Sequence, residues 1–205
     1  KRQIIAASYN SDLANDFGRN VRNLVAEPEF GQVFPNVSLA PDSQAANRMN
    51  TNHKGAYVAA GVGTAVTGRG AHIALIDDPF KDREEADSER RRDLVWDWYR
   101  STLYTRLMPG GAIVLIQTRW HEDDLAGRIL EQEAGQWEVL ELPAINKVGE
   151  PLWPEWYNLE ALNRIKATIG PREWSALYQQ QPQPDEGTFF KREWFNTWDK
   201  LPELR

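Results

Sequence analysis

The chain has 205 residues, no cysteine and a formal net charge of −6. The lack of cysteine excludes disulfides, thiolate metal sites and cysteine nucleophiles, and no apolar stretch approaches the roughly 18–20 residues that span a bilayer. With 41% hydrophobic residues, this length suffices for one substantial core and a small appended subdomain. We therefore expect a soluble, intracellular protein that has no membrane partner.

The charge is distributed unevenly along the chain. Residues 1–70 carry a net charge of +2, whereas residues 71–205 carry −8. Broad electrostatic attraction to nucleic-acid phosphates is therefore not expected. Any contacts with DNA must be local, or must come from residues outside this chain.

The first elements predicted are a buried strand and an amphipathic helix. Gln3–Ser8 is apolar and of strand length, and the next segment places Leu13, Phe17, Val21, Leu24 and Val25 on one side of a helix. A glycine-rich segment, 61–70, then follows the short apolar run Tyr57–Ala60. It has no Gly-x-x-x-x-Gly-Lys-Ser/Thr phosphate loop, so a turn is the better interpretation of this segment. The alternative is that Arg69 approaches a phosphate, in its own subunit or in a neighbouring one.

The most informative stretch is the apolar run His72-Ile-Ala-Leu-Ile, which ends in Asp77 and Asp78. In P-loop nucleotide hydrolases, such a Walker B strand delivers one acid to the Mg²⁺ shell and another to the attacking water. The alternative is a core strand that ends in a solvated Asp-Asp-Pro turn.

A second strand follows after a helix. Ala112–Gln117 is apolar at nearly every position, as is typical of parallel strands covered on both faces. Between the strands, either Asp87 or Ser88 can cap a helix of roughly 20 residues. Its apolar face contains Leu94, Val95, Trp98, Tyr99, Thr102 and Leu103. This order predicts a right-handed βαβ unit.

The second strand leads into Thr118-Arg119-Trp120-His121-Glu122-Asp123-Asp124. The cluster from His121 to Asp124 could be a metal site. The better interpretation is that its three acids cap the helix Leu125–Glu131 and complement its dipole.

The composition changes after the next predicted strand, Trp137–Leu142. Six prolines from Pro143 to Pro184 separate short segments, and five of the nine Trp lie after residue 150. Helices are predicted at Leu159–Ile169 and Arg172–Gln180, the first ended by Gly170-Pro171. Packing of large aromatics predicts a small core built from Trp153, Trp156, Trp174 and Tyr178, and base stacking is the alternative.

Taken in order, these motifs resemble the large terminase subunit of tailed bacteriophages, the ATPase that pumps DNA into the empty capsid. The similarity covers nearly the whole chain. It is carried by Gly68–Pro79, Val95–Tyr99, Thr105–Leu107, Gln117–Gly127, Leu142–Ala144, Leu152–Glu155, Ala176–Gln180 and Trp194-Phe195.

The resemblance implies a three-layer α/β fold of the P-loop type with a parallel sheet. Residues 1–145 would form the ATPase core and residues 146–205 a linker subdomain. The family's nucleotide-binding loop lies upstream of a strand like Gln3–Ser8, and its nuclease domain follows the linker. We therefore expect this chain to lack both and to be inactive alone, with residues 194–205 approaching the nuclease.

The resemblance also implies roles for individual residues. Asp77 would bind Mg²⁺, Asp78 would activate water, and Thr118 would couple ATP hydrolysis to movement through its hydroxyl. Arg119 would sense phosphate, or would only form a structural ion pair. Most such ATPases have Glu at the position of Asp78, so the base could instead be Glu84 or Glu85.

The implied cofactors are ATP and Mg²⁺. The implied partners are double-stranded viral DNA, the portal protein, the small terminase subunit and further copies of the chain in a ring, in the host cytoplasm. Two alternatives remain open. One is a noncatalytic module that docks to DNA or protein, and the other is a related ATPase such as a helicase.

Overall fold

The computed structural model describes residues 1–66 and 68–183. The chain divides into two compact units, Lys1–Leu140 and a second that begins at Glu141. The assignment of an ATPase core and a linker stays a prediction. The motif Trp194-Phe195 and the predicted approach to a nuclease domain lie outside the described residues.

The first unit is built on a six-stranded sheet with the order β2-β3-β4-β1-β5-β6. β4, β1, β5 and β6 are parallel, whereas β2 and β3 pair antiparallel. The α/β class with a P-loop-like three-layer arrangement is confirmed, and the sheet is mixed because the β2-β3 hairpin extends its β4 edge. The strands are β1 Gln3–Ser8, β2 Leu39–Ala45, β3 Arg48–Thr51, β4 Ala56–Gly61, β5 Ala71–Asp77 and β6 Leu107–Ile116.

Polar side chains cap most of the helices. Asn10, Asp82, Ser88, Asp124 and Asn158 each accept a hydrogen bond from a backbone N–H of the first turn, which satisfies a group that has no partner within the helix. The helices are α1 Ser11–Ala26, α2 Pro28–Val33, α3 Arg83–Asp87, α4 Glu89–Asp97, α5 Leu125–Gln132 and, in the second unit, α6 Leu159–Glu173.

The core lies on one face of the sheet. Alternate strand residues, among them Ile5, Ala74 and Ile76, are buried there against side chains from α4, α5 and the segment after α4. The helix predicted between the strands is shorter than expected, because Ser88 ends α3 and a π-helical segment, Trp98–Leu103, follows α4. The buried face of α4 also differs from the prediction, because Trp96 is buried and Leu94 is 42% exposed.

The other face is only partly covered. Tyr57, Ile4 and Ile73 are lateral neighbours on it, and α1 packs over the β4 and β1 portion. Further along, Val114 and Ile116 of the edge strand β6 are 44% and 55% exposed. The prediction that both faces of this apolar strand are covered is therefore wrong, because α1 does not extend over β6.

The region after α5 also differs from expectation. Trp137–Leu142 forms no strand; Leu140 is 79% exposed, and Trp137 Nε1 donates to Glu133 at 2.7 Å. An alternating apolar pattern favours a strand, but a strand forms only where a neighbouring strand can pair with it.

In the second unit, Gly170 (φ 80°) and Pro171 kink α6 at the point where the first of two helices was predicted to end, and a π-helical segment, Trp174–Tyr178, follows. The Trp174 and Tyr178 rings stack with centroids 5.0 Å apart, and Trp174 is buried. Trp153 and Trp156 are 59% and 66% exposed. Their predicted place in a core is therefore wrong, because they lie in a turn before α6, where their rings contact each other with centroids 5.2 Å apart.

The contact between α1 and the β2-β3 hairpin yields a stability prediction. A Cβ added at Gly18 would overlap the carbonyl oxygen of Ala46. Gly→Ala in a helix interior normally stabilises by about 1 kcal/mol, but here we expect Gly18→Ala to destabilise by about 1–3 kcal/mol through overpacking. Gly31→Ala is the matched control, since a Cβ there has nothing within 4 Å. Urea unfolding of both variants checks this, and equal stability of the two would contradict the close approach.

Candidate functional site

The predicted acid pair lies at the carboxyl end of β5. Asp77 is the last residue of the strand, and its lateral neighbours are Ser8 on β1 and Ile116 on β6. Partial burial, and next the charge of Asp78, raise the pKa of the Asp77 carboxyl above its usual range. A nearby cation would reverse this shift, because an opposite charge favours the carboxylate.

Asp78 connects three strands. Its backbone N–H donates to Ile116 O at 2.9 Å, and its backbone oxygen accepts from Tyr9 N at 3.1 Å. Its carboxylate Oδ1 accepts from the backbone N–H of Thr118 at 2.9 Å. The residue has a φ of 41°, in the left-handed region that Asp and Asn tolerate better than most residues. Asp78 therefore joins the ends of β1, β5 and the segment after β6.

Thr118 lies beside the acids as predicted, although the contact differs from the one expected. The prediction gave the coupling role to its hydroxyl, through a bond to the Walker B acid or to the attacking water, whereas the bond present is from its backbone N–H to Asp78. Of the alternative bases, Glu85 accepts from Lys81 N and lies 3.5 Å from Arg91, and Glu84 is exposed. The sequence predicted that Thr118 lies at the end of the strand. It did not predict whether the hydroxyl or the backbone N–H of Thr118 donates the hydrogen bond.

Arg119 forms a buried ion pair. Its Nε lies 2.9 Å and 3.1 Å from the two carboxylate oxygens of Asp124, a residue with no solvent exposure. Asp124 also caps α5 by accepting from Gly127 N at 2.9 Å. Burial raises the pKa of the Asp124 carboxyl, and Arg119 opposes that effect. This geometry favours the structural alternative for Arg119, and a role in phosphate sensing stays a prediction.

A second ion-pair network adjoins the first. Asp123 lies 3.0 Å from Arg92 Nε and 2.7 Å from Arg128 Nη2, and Arg128 also contacts Asp93 at 2.8 Å. The hydrogen bonds from Arg128 hold the pKa of the Asp123 carboxyl below its usual range. These ion pairs connect α4 to the segment after β6. The sequence analysis did not identify Arg92 and Arg128. The only signal for this network was the opposite charge of the arginines and the acids in these segments.

Arg69 does not lie with the acids. It precedes β5, and the seven residues of that strand separate it from Asp78 by about 20 Å at 3.3 Å per residue. Within one chain, Arg69 and the acid pair thus lie at opposite ends of β5.

The residues at the acid end fit a magnesium ion. Among the described residues, no group of three or more His, Cys, Asp or Glu is placed to hold a metal. Mg²⁺, however, commonly takes one or two carboxylates and completes its shell with water and phosphate oxygens. The hydroxyl of Ser8, beside Asp77, is buried and has no hydrogen-bond partner in the described part of the chain. Asp77, Asp78 and Ser8 therefore offer the oxygen ligands that this ion prefers.

Comparison with known proteins places the chain in a family. A family model described as "Terminase large subunit, T4likevirus-type, N-terminal" matches residues 1–197. The chain belongs to this family. Its role therefore lies in phage DNA packaging. A comparison with curated proteins finds no match. Within the described residues, no helix of this terminase chain is long and apolar enough to cross a membrane.

The buried ion pair of this terminase chain yields a second stability prediction. Asp124→Ala leaves the Arg119 guanidinium without its partner and α5 without its cap, so we expect a loss of about 3–5 kcal/mol. Asp16→Ala is the matched control, because it breaks an Arg–Asp pair with Arg19 that is exposed on both sides, worth about 0–1 kcal/mol. Chemical denaturation measures both variants. A loss for Asp124→Ala no greater than that for Asp16→Ala would contradict the structural role of Asp124.

Proposed function

We propose that the chain is the ATPase part of a motor subunit that couples ATP hydrolysis to the translocation of double-stranded viral DNA into a capsid. The observation that carries the proposal is the acid pair at the carboxyl end of β5, with the Asp78 carboxylate bonded to Thr118 N. In open α/β sheets, ligands bind outside the carboxyl ends of the strands. The family role in DNA packaging supplies the process that the hydrolysis would drive.

Each residue has a proposed part. Asp77 would hold Mg²⁺, and the bound ion would neutralise charge on the nucleotide phosphates. Asp78 would orient or deprotonate the attacking water through the oxygen that Thr118 N does not occupy. Because Asp78 contacts β1, β6 and Thr118 together, a shift of this carboxylate would pass directly to the segment after β6.

The same segment would carry that shift onwards. Thr118 leads to the Arg119–Asp124 pair, and Asp123 then joins the segment to α4 through Arg92 and Arg128. These charge pairs form a continuous connection from the acid end of the sheet to a helix on its covered face. Coupling through contiguous ion pairs and packed elements is the physical basis proposed for movement in this subunit.

The remaining parts of a motor would come from elsewhere. The 205-residue sequence has no Gly-x-x-x-x-Gly-Lys-Ser/Thr loop, so we propose that residues 1–205 alone hydrolyse ATP negligibly. The position of Arg69 at the other end of β5 favours contact with a phosphate in a neighbouring subunit of a ring. The proposed partners are viral DNA, the portal protein and the small terminase subunit, in the host cytoplasm.

A second candidate is a noncatalytic module with the same fold. The engagement of Arg119 by Asp124 and the lack of a phosphate loop in these residues favour it. In that case, Asp78 would serve only to join strand ends, and the DNA or protein partner would dock elsewhere.

The first functional prediction concerns Asp77. In a polypeptide that also carries the upstream phosphate loop implied by the family, Asp77→Asn should lower Mg²⁺-dependent phosphate release by at least about 100-fold. The reason is that the change removes a charged metal ligand, and even groups one step removed from a metal typically contribute 10–100-fold. The two side chains have nearly the same volume, so the thermal midpoint should change little. Phosphate release at the parental rate would exclude the metal role and favour the noncatalytic module.

The second functional prediction separates the two proposed parts of Asp78. Asp78→Asn keeps an oxygen that accepts from Thr118 N and tolerates a positive φ, but it cannot take a proton. Asp78→Ala loses the hydrogen bond as well. If Asp78 is the base, both variants should lose about 10²–10⁴-fold in phosphate release, and only Asp78→Ala should lose stability. An Asp78→Asn variant with parental activity would mean that Asp78 only joins the strands and that another acid activates water.

A further inference from the structure

Two adjoining polar clefts lie on the part of the sheet that β2, β3 and β4 form. They lie along β3 and β4, have volumes of about 780 Å³ and 710 Å³, and share Asp42, Arg48, Asn50, Val58 and Arg69 among their lining residues. We name the two together the β3-β4 groove. Its second cleft also contains Lys54 and the amide side chains of Gln3 and Asn52.

The groove carries unbalanced positive charge. Among the described residues that line the second cleft, the charged ones are Arg48, Lys54, Arg69 and Asp42. In the described part of the chain, no carboxylate lies within salt-bridge distance of these three cations. Most cations around α4 and α5 differ, since Arg83, Arg91, Arg92, Arg100, Arg119 and Arg128 each have a carboxylate partner.

Two of the cations have fixed backbones. Arg48 lies on β3 opposite Val58 of β4. Lys54 lies in a tight turn in which Thr51 N donates to Gly55 O at 2.9 Å and Lys54 N donates to Thr51 O at 2.8 Å. The backbone positions therefore need no rearrangement to receive a ligand, and only the exposed side chains lose freedom on binding.

We propose that the β3-β4 groove binds the phosphodiester backbone of DNA through Arg48 and Lys54. Unpaired cations beside amide donors in a concave surface suit a chain of phosphates, since contacts to phosphate need charge and donors but no base recognition. The net charge of −8 on residues 71–205 opposes DNA contact elsewhere. Because the net negative charge restricts DNA contacts to local surfaces, the groove is the surface proposed to make them. This role of the groove rests on the proposed packaging function and deepens it by naming the surface that holds DNA, on strands other than the one that carries the acid pair.

The test measures DNA binding by residues 1–205 without nucleotide, so its outcome does not depend on ATP hydrolysis. A labelled duplex of mixed sequence is titrated by fluorescence anisotropy at about 50 mM and about 200 mM salt. The variant Arg48→Ala/Lys54→Ala removes two of the proposed contacts and leaves Arg69 in place. Arg90→Ala/Lys166→Ala is the matched control, because it removes two exposed cations that do not line the groove.

The parental chain should bind two unrelated duplex sequences equally and more weakly at high salt. Each phosphate contact contributes about 0.9 to the slope of log K against log salt, so the groove variant should lose about 1.8 of that slope. Raising the salt from about 50 mM to about 200 mM should therefore weaken the parental chain about tenfold more than the groove variant. Arg48→Lys/Lys54→Arg keeps both charges and should retain binding within about threefold, because backbone contacts depend mainly on charge.

Three results would overturn the proposal. They are a parental chain that binds no DNA, a groove variant that binds no more weakly than the control, and a charge-retaining variant that binds as weakly as the alanine variant. In the first case, an acidic protein surface would become the better partner for the groove. Thermal unfolding of every variant, followed by circular dichroism, ensures that only folded protein is compared.

Discussion

The hydrogen bonds of Asp78 hold together the part of the molecule on which the proposed chemistry depends. Its backbone bonds to Tyr9 after β1 and to Ile116 at the end of β6, and its carboxylate accepts from Thr118 N in the segment after β6. A residue that makes all three contacts must leave the strand direction, and its positive φ of 41° does so. Such local strain persists only where the surrounding structure over-determines it. Here the three contacts supply that constraint.

Charged side chains near the acid pair have different surroundings from those along β3 and β4. Near the acid end, arginines and aspartates neutralise each other in buried or half-buried pairs, which fix α4, α5 and the segment between β6 and α5. Removing one member of a buried pair is costly, because the other charge remains desolvated. On β3 and in the turn between β3 and β4, Arg48 and Lys54 are exposed to solvent. Cations held this way contribute little to stability and remain available to an external anion.

Coverage of the sheet is equally uneven. One face is buried by α4, the π-helical segment after it and α5, whereas α1 covers only part of the other face. The exposed Ile73, Val114 and Ile116 form an apolar strip along β5 and β6, next to the acid pair. Residues 112–116 of β6 are all apolar, although Ile113 and Leu115 are only partly buried and the residues that alternate with them are exposed.

Much of the fold followed from local pattern. The strands β1 and β5, the helices α1 and α5, and the kink at Gly170-Pro171 appear where apolar periodicity, capping residues and helix breakers placed them, because these signals act between residues close in the chain. The position of Asp77 and Asp78 at a strand end followed in the same way. Family membership was likewise readable from the order of short motifs, which needs no coordinates.

Other features depended on residues far apart in sequence. The bond from Thr118 N to Asp78, the burial of Asp124 against Arg119, and the separation of Arg69 from the acids all arise from strand register and loop path. Trp153 and Leu140 are exposed despite apolar sequences, because burial requires a partner surface that no local pattern specifies. The sequence by itself determined which elements form and which residues could do chemistry. The tertiary structure decided which of those residues meet, since that choice depends on packing between segments and on the cost of burying each charge.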